Sequence, residues 1–260
     1  MIVTAMIENT FIYLGCADEK TGEILFKTTV ATSLEKTVTD YSITIREVFR
    51  MENIDRKNIT GGVVASVVPL VTETFKTAMS KVFNIKVIEV GPGVRSGVDT
   101  RIDAPTTLGS DMLVAAVSAI SEYKAPMILV AISTNTTISV IDSNKRFVGR
   151  IIFPGVKNSF DTVYEYSALI GSIGIKTPDK VIGTTTEKAV QSGVIFGCAS
   201  SIDGFIERIK AELKVPEINV ILTGTYGPMI APHCLHKNVV LDPNLMTKGL
   251  IHIYNKNCKS

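Results

Sequence analysis

Apolar runs and short polar breaks alternate from the first residue. Ile2-Val3-Thr4-Ala5-Met6-Ile7 predicts a buried strand, Phe11-Ile12-Tyr13-Leu14-Gly15 a second and Ile24-Leu25-Phe26-Lys27-Thr28 a third. Asn9-Thr10 and Asp18-Glu19-Lys20-Thr21-Gly22 supply the turns between them. Ser33 is expected to cap a helical pattern that runs to about Phe49. Residues 61–68 read as a central strand, 71–83 as a helix, 86–90 as a strand and 110–123 as a helix. The same order then returns. Strands are expected over 126–131, 136–141 and 146–153, followed by helices, a strand over 218–223 and a closing helix over 244–254.

The two halves overlay directly. Residues 1–12 match residues 127–138 without a gap, and Met, Ile, Ala, Asn, Thr and Ile recur in register. A repeat this long is not a solenoid period. It predicts a duplicated α/β fold, two actin-like (ribonuclease H-like) βββαβα halves over 1–120 and 121–260 with a cleft between them. In that plan the turn between the first two strands of each half faces the phosphates of a nucleotide. Backbone N–H groups and small hydroxyl side chains reach a phosphate there without steric cost. Asn9-Thr10 and Ser133-Thr134 occupy those two turns.

Composition narrows the function classes. Of 260 residues, 45% are hydrophobic and 20% charged, which excludes intrinsic disorder. A net charge of +2 gives no field that points to nucleic acid or an anionic membrane. The longest apolar run, 62–71, is broken by Ser66 and Pro69. It falls short of the roughly 18 residues of a spanning helix. No basic leader with a cleavage site opens the chain, so a cytoplasmic protein is expected. Cys16, Cys198, Cys234 and Cys258 are scattered, which argues against a disulfide framework. His233-Cys234-Leu235-His236 offers too few ligands for a structural zinc.

Five strings carry a more specific signal: Ala65-Ser66-Val67-Val68-Pro69, Gly91-Pro92-Gly93-Val94-Arg95-Ser96-Gly97, Pro105-Thr106-Thr107-Leu108-Gly109-Ser110-Asp111, Gly149-Arg150-Ile151-Ile152-Phe153-Pro154-Gly155, and 186–193 ending in Gln191-Ser192-Gly193. In order and spacing they resemble the type III pantothenate kinases over nearly the whole chain. The resemblance implies ATP-dependent phosphorylation of pantothenate, the first step of coenzyme A synthesis. It also implies an actin-like fold, a homodimer, and a need for Mg²⁺ and a monovalent cation such as K⁺.

The family's site residues transfer one at a time. Its opening Asp-x-Gly-Asn-Thr reads Met6-Ile7-Glu8-Asn9-Thr10 here, so the metal-holding acid is Met6 while Asn9 and Thr10 are kept as nucleotide contacts. Its Gly-x-Asp-Arg reads Gly109-Ser110-Asp111-Met112, which keeps the catalytic base Asp111 and replaces the arginine that meets the substrate carboxylate. Its Asp-x-Gly-Thr reads Ala131-Ile132-Ser133-Thr134, which loses the K⁺ acid and keeps Thr134 on the nucleotide. Ile102 stands for a substrate-contacting tyrosine, Thr223-Gly224-Thr225 for the phosphate-side Thr-Gly-Gly with Gly224 as the nucleotide contact, and Thr186 for a substrate threonine. Gly109, Ser110, Met112 and Thr186 thus line the expected substrate side. The comparison pairs Met6 with Ala131, one residue out of step with the gapless overlay. In a strand that step exchanges the two faces.

Two substitutions bear on chemistry. Mg²⁺ wants oxygen ligands, which Met6 and Ala131 lack; Glu8, two residues from Met6, is the candidate replacement. K⁺ is expected to matter little, since Ala131 has no side-chain oxygen. Arg95 or Arg101 is a candidate to stand in for the cation lost at Met112. Asp111, at an expected helix start, reads equally as a base or as a cap. Three functions stay open at this point: an active pantothenate kinase, an impaired paralogue that serves as a ligand-binding or regulatory dimer, and a kinase for another small hydroxyl compound.

Overall fold

Strand β1 (Ile2–Ile7) is buried at every position, as its unbroken apolar run requires. In the computed structural model, which describes residues 1–165 and 173–258, it forms the middle of a five-stranded sheet. β1 pairs antiparallel with β2 (Phe11–Ala17), which pairs with β3 (Ile24–Ala31). On its other side it runs parallel to β4 (Gly61–Ser66), and β4 to β5 (Val87–Glu89). The order is β3-β2-β1-β4-β5. Helices α1 (Val38–Met51) and α2 (Pro69–Phe83) cover one face. Their Tyr41, Ile45, Phe49, Phe75 and Met79 pack with Val3, Ala5 and Ile7.

The second sheet repeats the plan. β7 (Met127–Ile132) pairs antiparallel with β8 (Asn135–Ile141), and β8 with β9 (Arg146–Pro154). β10 (Asn219–Thr223) runs parallel to β7, and β11 (Val239–Leu241) to β10. The order β9-β8-β7-β10-β11 matches the first sheet strand for strand, with the two-residue β6 (Asp99–Thr100) added beside β9. Here α4 (Val156–Glu165) and α5 (Thr186–Leu213) cover the face that carries Ile128, Val130 and Ile132. The fold is the duplicated actin-like plan that the repeat predicts. α3 (Ser110–Glu122), the one-turn α6 (Gly227–Ile230) and α7 (Leu245–Cys258) complete the elements.

The strand faces decide the register. Val3, Ala5 and Ile7 point toward α1 and α2, as Ile128, Val130 and Ile132 point toward α4 and α5. Ile2–Ile7 therefore corresponds to Met127–Ile132, and Met6 shares its face with Ala131. The gapless overlay would set Ala5 on Ala131 and reverse the faces. It is one residue out already in β1, and the second hairpin, one residue tighter, puts it a further residue out in β2: Ile7 pairs with Ile12, and Ile132 with Thr136.

The compact units are not an even cut at residue 120. Residues 99–103 belong with the second sheet, and the segment from Asn244 onward belongs with the first. α7 packs against β1 and β4. Gly61 leaves room for the Tyr254 ring, and Gly249 lets α7 approach the Val114 carbonyl of α3, where a Cβ would collide.

Local starts also differ from expectation. Thr37, not Ser33, caps α1, because Thr37 and Asp40 form a reciprocal capping box: the Thr37 hydroxyl accepts from the Asp40 N–H at 3.3 Å, and the Asp40 carboxylate from the Thr37 N–H at 2.9 Å. Ser33 is instead tied by its backbone to the Tyr41 hydroxyl. α2 begins at Pro69, which needs no N–H there. α5, with an 18-residue window of mean hydropathy 1.3, is long and apolar enough to cross a membrane by length and composition. Its Val194, Ile195, Ala199, Ile202, Ile206 and Ile209 lie in the core, and Asp203 receives the N–H groups of Leu235 and His236.

Candidate active site

In the first unit the chain reverses just past Ile7. The Glu8 N–H donates to the Phe11 carbonyl at 2.9 Å. Thr32 fastens the turn, its N–H donating to the Thr10 carbonyl at 3.0 Å and its hydroxyl to the Glu8 carbonyl at 2.7 Å. Asn9 and Thr10 are exposed and Glu8 is half-buried. Met6 is fully buried, within a cluster that includes Ile2, Val63, Ala65, Val114 and Leu250.

Beside this turn the start of α3 is pinned to the end of β4. The Ser110 hydroxyl donates to the Ser66 carbonyl at 2.7 Å and accepts from the Ser66 N–H at 3.1 Å. Ser110 thus spends its hydroxyl on the backbone, a role that the sequence does not signal. Asp111 follows in the first turn, half-buried, where a helix favours an acid. A Cβ on Gly109 would collide with the Asp111 carboxylate, so the glycine makes room for it. Met112 is half-buried. Arg95 is exposed.

The second unit builds a comparable corner. The Ser133 N–H donates to the Asn135 carbonyl at 3.0 Å, and the Gly155 N–H, just before α4, to the Thr134 carbonyl at 3.1 Å. Gly224 has φ +89 and lies against the Ile132 backbone, which only a glycine tolerates. The Tyr226 N–H then donates to the Ile132 carbonyl at 2.9 Å. Burial raises the Tyr226 phenol above its usual range, against the opposing pull of Lys157. Lys157 is itself held charged by its hydrogen bond to Asp161. Ala131 is half-buried. Ile102 is half-buried, and Arg101 forms an ion pair with Asp99 at 2.8 Å.

Thr186 is the exposed first residue of α5, capped by the Thr185 hydroxyl, which accepts from the Lys188 N–H at 3.2 Å. It borders a groove of about 650 Å³ between α4 and α5, lined also by Phe153, Val163, Gly193 and Gly197. Gln191 and Ser192 explain their own string. The Gln191 amide donates to the Gly174 carbonyl at 2.9 Å and the Ser192 hydroxyl to the Val181 carbonyl, which ties the preceding loop to the helix. The His233–His236 segment makes local contacts: the His233 ring meets Phe196 edge-on at 4.9 Å, and His236 Nδ1 accepts from the Asn238 N–H at 3.3 Å.

A family model for type III pantothenate kinase matches residues 6–208. The chain belongs to the type III pantothenate kinase family. The type III pantothenate kinase of Exiguobacterium sibiricum is 36% identical over 257 residues, covering 99% of this chain and all of its own. That of Geobacillus thermodenitrificans is 34% identical, covering 99% and 98%. Among solved structures, a Baf-family protein from Campylobacter jejuni aligns with a TM-score of 0.60 at 17% identity, covering 99% of this chain and all of its own. The activator of the 2-hydroxyisocaproyl-CoA dehydratase from Clostridium difficile, with bound ADPNP, aligns at 0.56 and 11%, covering 97% and 93%. At such identities they speak for the fold alone.

A type III pantothenate kinase is expected to use Mg²⁺ and a monovalent cation, and the donor set at the two acid positions does not suit either ion. A buried thioether stands at Met6 and a methyl group at Ala131. Mg²⁺ demands hard oxygen ligands. Glu8 lies past the end of β1, in the turn rather than on the strand. Among the described residues no three His, Cys, Asp or Glu side chains gather into a metal-ligating group.

Proposed function

We propose that this chain transfers the γ-phosphoryl group of ATP to the hydroxyl of pantothenate. The full-length likeness to named pantothenate kinases, with Asp111 set into the first turn of α3 behind Gly109, is the observation that carries the reading. Asp111 serves as general base and takes the proton of the attacking hydroxyl. In the first unit Asn9 and Thr10 contact nucleotide, and in the second Thr134 and Gly224 do. Gly109 and Ser110 shape the ground on which the acceptor lies, with Thr186 as a further substrate contact. Met112 leaves the substrate carboxylate without its cation, so pantothenate binds about one to two decades more weakly than with an arginine there.

The chain acts as a homodimer. Exposed Tyr164 and Ile182, 54% and 82% accessible, leave apolar surface on the second unit that a second copy would cover. ADP release measured with ATP and pantothenate tests the activity. Release that requires pantothenate supports it. Release no faster with pantothenate than without, at saturating ATP, rejects it.

A further inference from the structure

The first acid position of this family has been absorbed into the core. Met6 is fully buried in a cluster with Ile2, Val63, Ala65, Val114 and Leu250, and it pairs across the sheet with Tyr13. Ala131, on the same face of its own strand, offers a methyl group. A thioether is a soft ligand, and Mg²⁺ takes hard oxygens in near-octahedral order. We infer that this chain binds its nucleotide without a protein-held divalent or monovalent cation.

The inference rests on the proposed use of ATP and concerns how that ATP is held. Where two carboxylates face a polyanion, a bridging cation must offset the repulsion between like charges a few ångströms apart. Both carboxylates are replaced by neutral side chains here, so that repulsion is gone. What the two turns offer instead is backbone N–H and hydroxyl groups, which bond phosphate oxygens directly. Glu8, the acid nearest Met6 in sequence, stands past the end of β1 in the turn held by Phe11 and Thr32, and so does not occupy the strand position that Met6 fills. Metal-free and metal-bound nucleotide should therefore bind alike.

Calorimetric titration of the full chain with ADP tests this, in EDTA, in Mg²⁺, and in K⁺ against tetramethylammonium at equal ionic strength. The expected dissociation constants agree within about threefold. Tightening by about tenfold or more with either cation overturns the inference. If Glu8→Gln then abolishes that tightening, Glu8 is the ligand. No binding under any condition sinks the nucleotide reading and this inference together, whereas cation-dependent binding sinks this inference alone. Ala131→Asp should weaken metal-free ADP by about tenfold and regain affinity with Mg²⁺. An Ala131→Asp protein that binds like wild type in EDTA overturns the placement of that residue toward phosphate. Met6→Asp should lower the melting temperature, because its carboxylate would be buried in a largely apolar cluster. An unchanged melt would show that the position is open to solvent and to a cation, against the inference.

Discussion

Asp111 carries the chemistry in this reading, and its two roles separate by one substitution. Asn holds a helix start as well as Asp but cannot take a proton. Asp111→Asn should keep the wild-type melting temperature and lose about 10²–10⁴ in turnover, measured as pantothenate-dependent ADP release. Equal turnover in both proteins would make Asp111 structural. The cysteines make a second test at this scale. Burial pushes the Cys16 and Cys198 thiols up to about 11 and Cys234 to about 12, while Cys258 is exposed on the last turn of α7. The thiolate is the reactive form, so at pH 7.5 Cys16 and Cys198 should react with an aromatic disulfide about two decades slower than when unfolded, and Cys234 about three. One fast thiol is expected in the native chain and four in guanidinium chloride. Three fast native thiols would show that the cores around them open readily. What the sequence exposes at this scale is identity, not environment. The exchange of an acid for Met6 is plain in the string Met6-Ile7-Glu8-Asn9-Thr10. That the new side chain is sealed among Ile2, Val63 and Leu250 depends on residues far along the chain, and no local pattern announces it.

Elements differ in how far the sequence announces them. Apolar runs bounded by turn residues locate β1, β2, β7 and β8, because strand periodicity and turn chemistry are local. β6 and β11 are too short for any periodicity and exist because a neighbouring strand pairs with them. The start of α1 is misread at Ser33, since two candidate caps lie four residues apart and the reciprocal Thr37–Asp40 bonds favour the later one. The junction between β4 and α3 is the element contact that matters most for the site. Ser110→Ala removes both bonds to Ser66 and leaves its N–H without that acceptor, which should cost about 1–3 kcal/mol in denaturant unfolding. Turnover should fall along with it, since Asp111 is next in the chain. A Ser110→Ala protein as stable and as active as wild type would show that the helix start is held by its aliphatic contacts alone.

At the scale of the whole molecule the prediction is assembly. Light scattering at micromolar concentration should give twice 28.1 kDa. Charge placed on the exposed apolar residues of the second unit, as in Ile182→Glu together with Tyr164→Glu, should shift it to 28.1 kDa. A wild-type mass of 28.1 kDa rejects the dimer. The duplication is the part of the architecture most legible in the sequence, since two strand sets of the same order begin at Met1 and Met127. The closing helix is the least legible, because its own pattern fixes that it is amphipathic but not which sheet it meets.

That placement governs the order in which the protein can be made. α7 leaves the ribosome after both sheets, yet its Leu250, Ile253 and Tyr254 fill the face of the first sheet, against Ile2, Met6 and Val63. The first sheet can pair its strands early and lay α1 and α2 on one side. The opposite face stays uncovered along α7's path until that helix emerges, although domains ordinarily fold in turn as they emerge. A nascent chain stalled after residue 243 should be cut by protease within the first unit, whereas the released chain should resist. Supplying residues 244–260 as a separate peptide should restore resistance to the truncated chain. A truncated chain that already resists would mean that the sheet closes without its final helix.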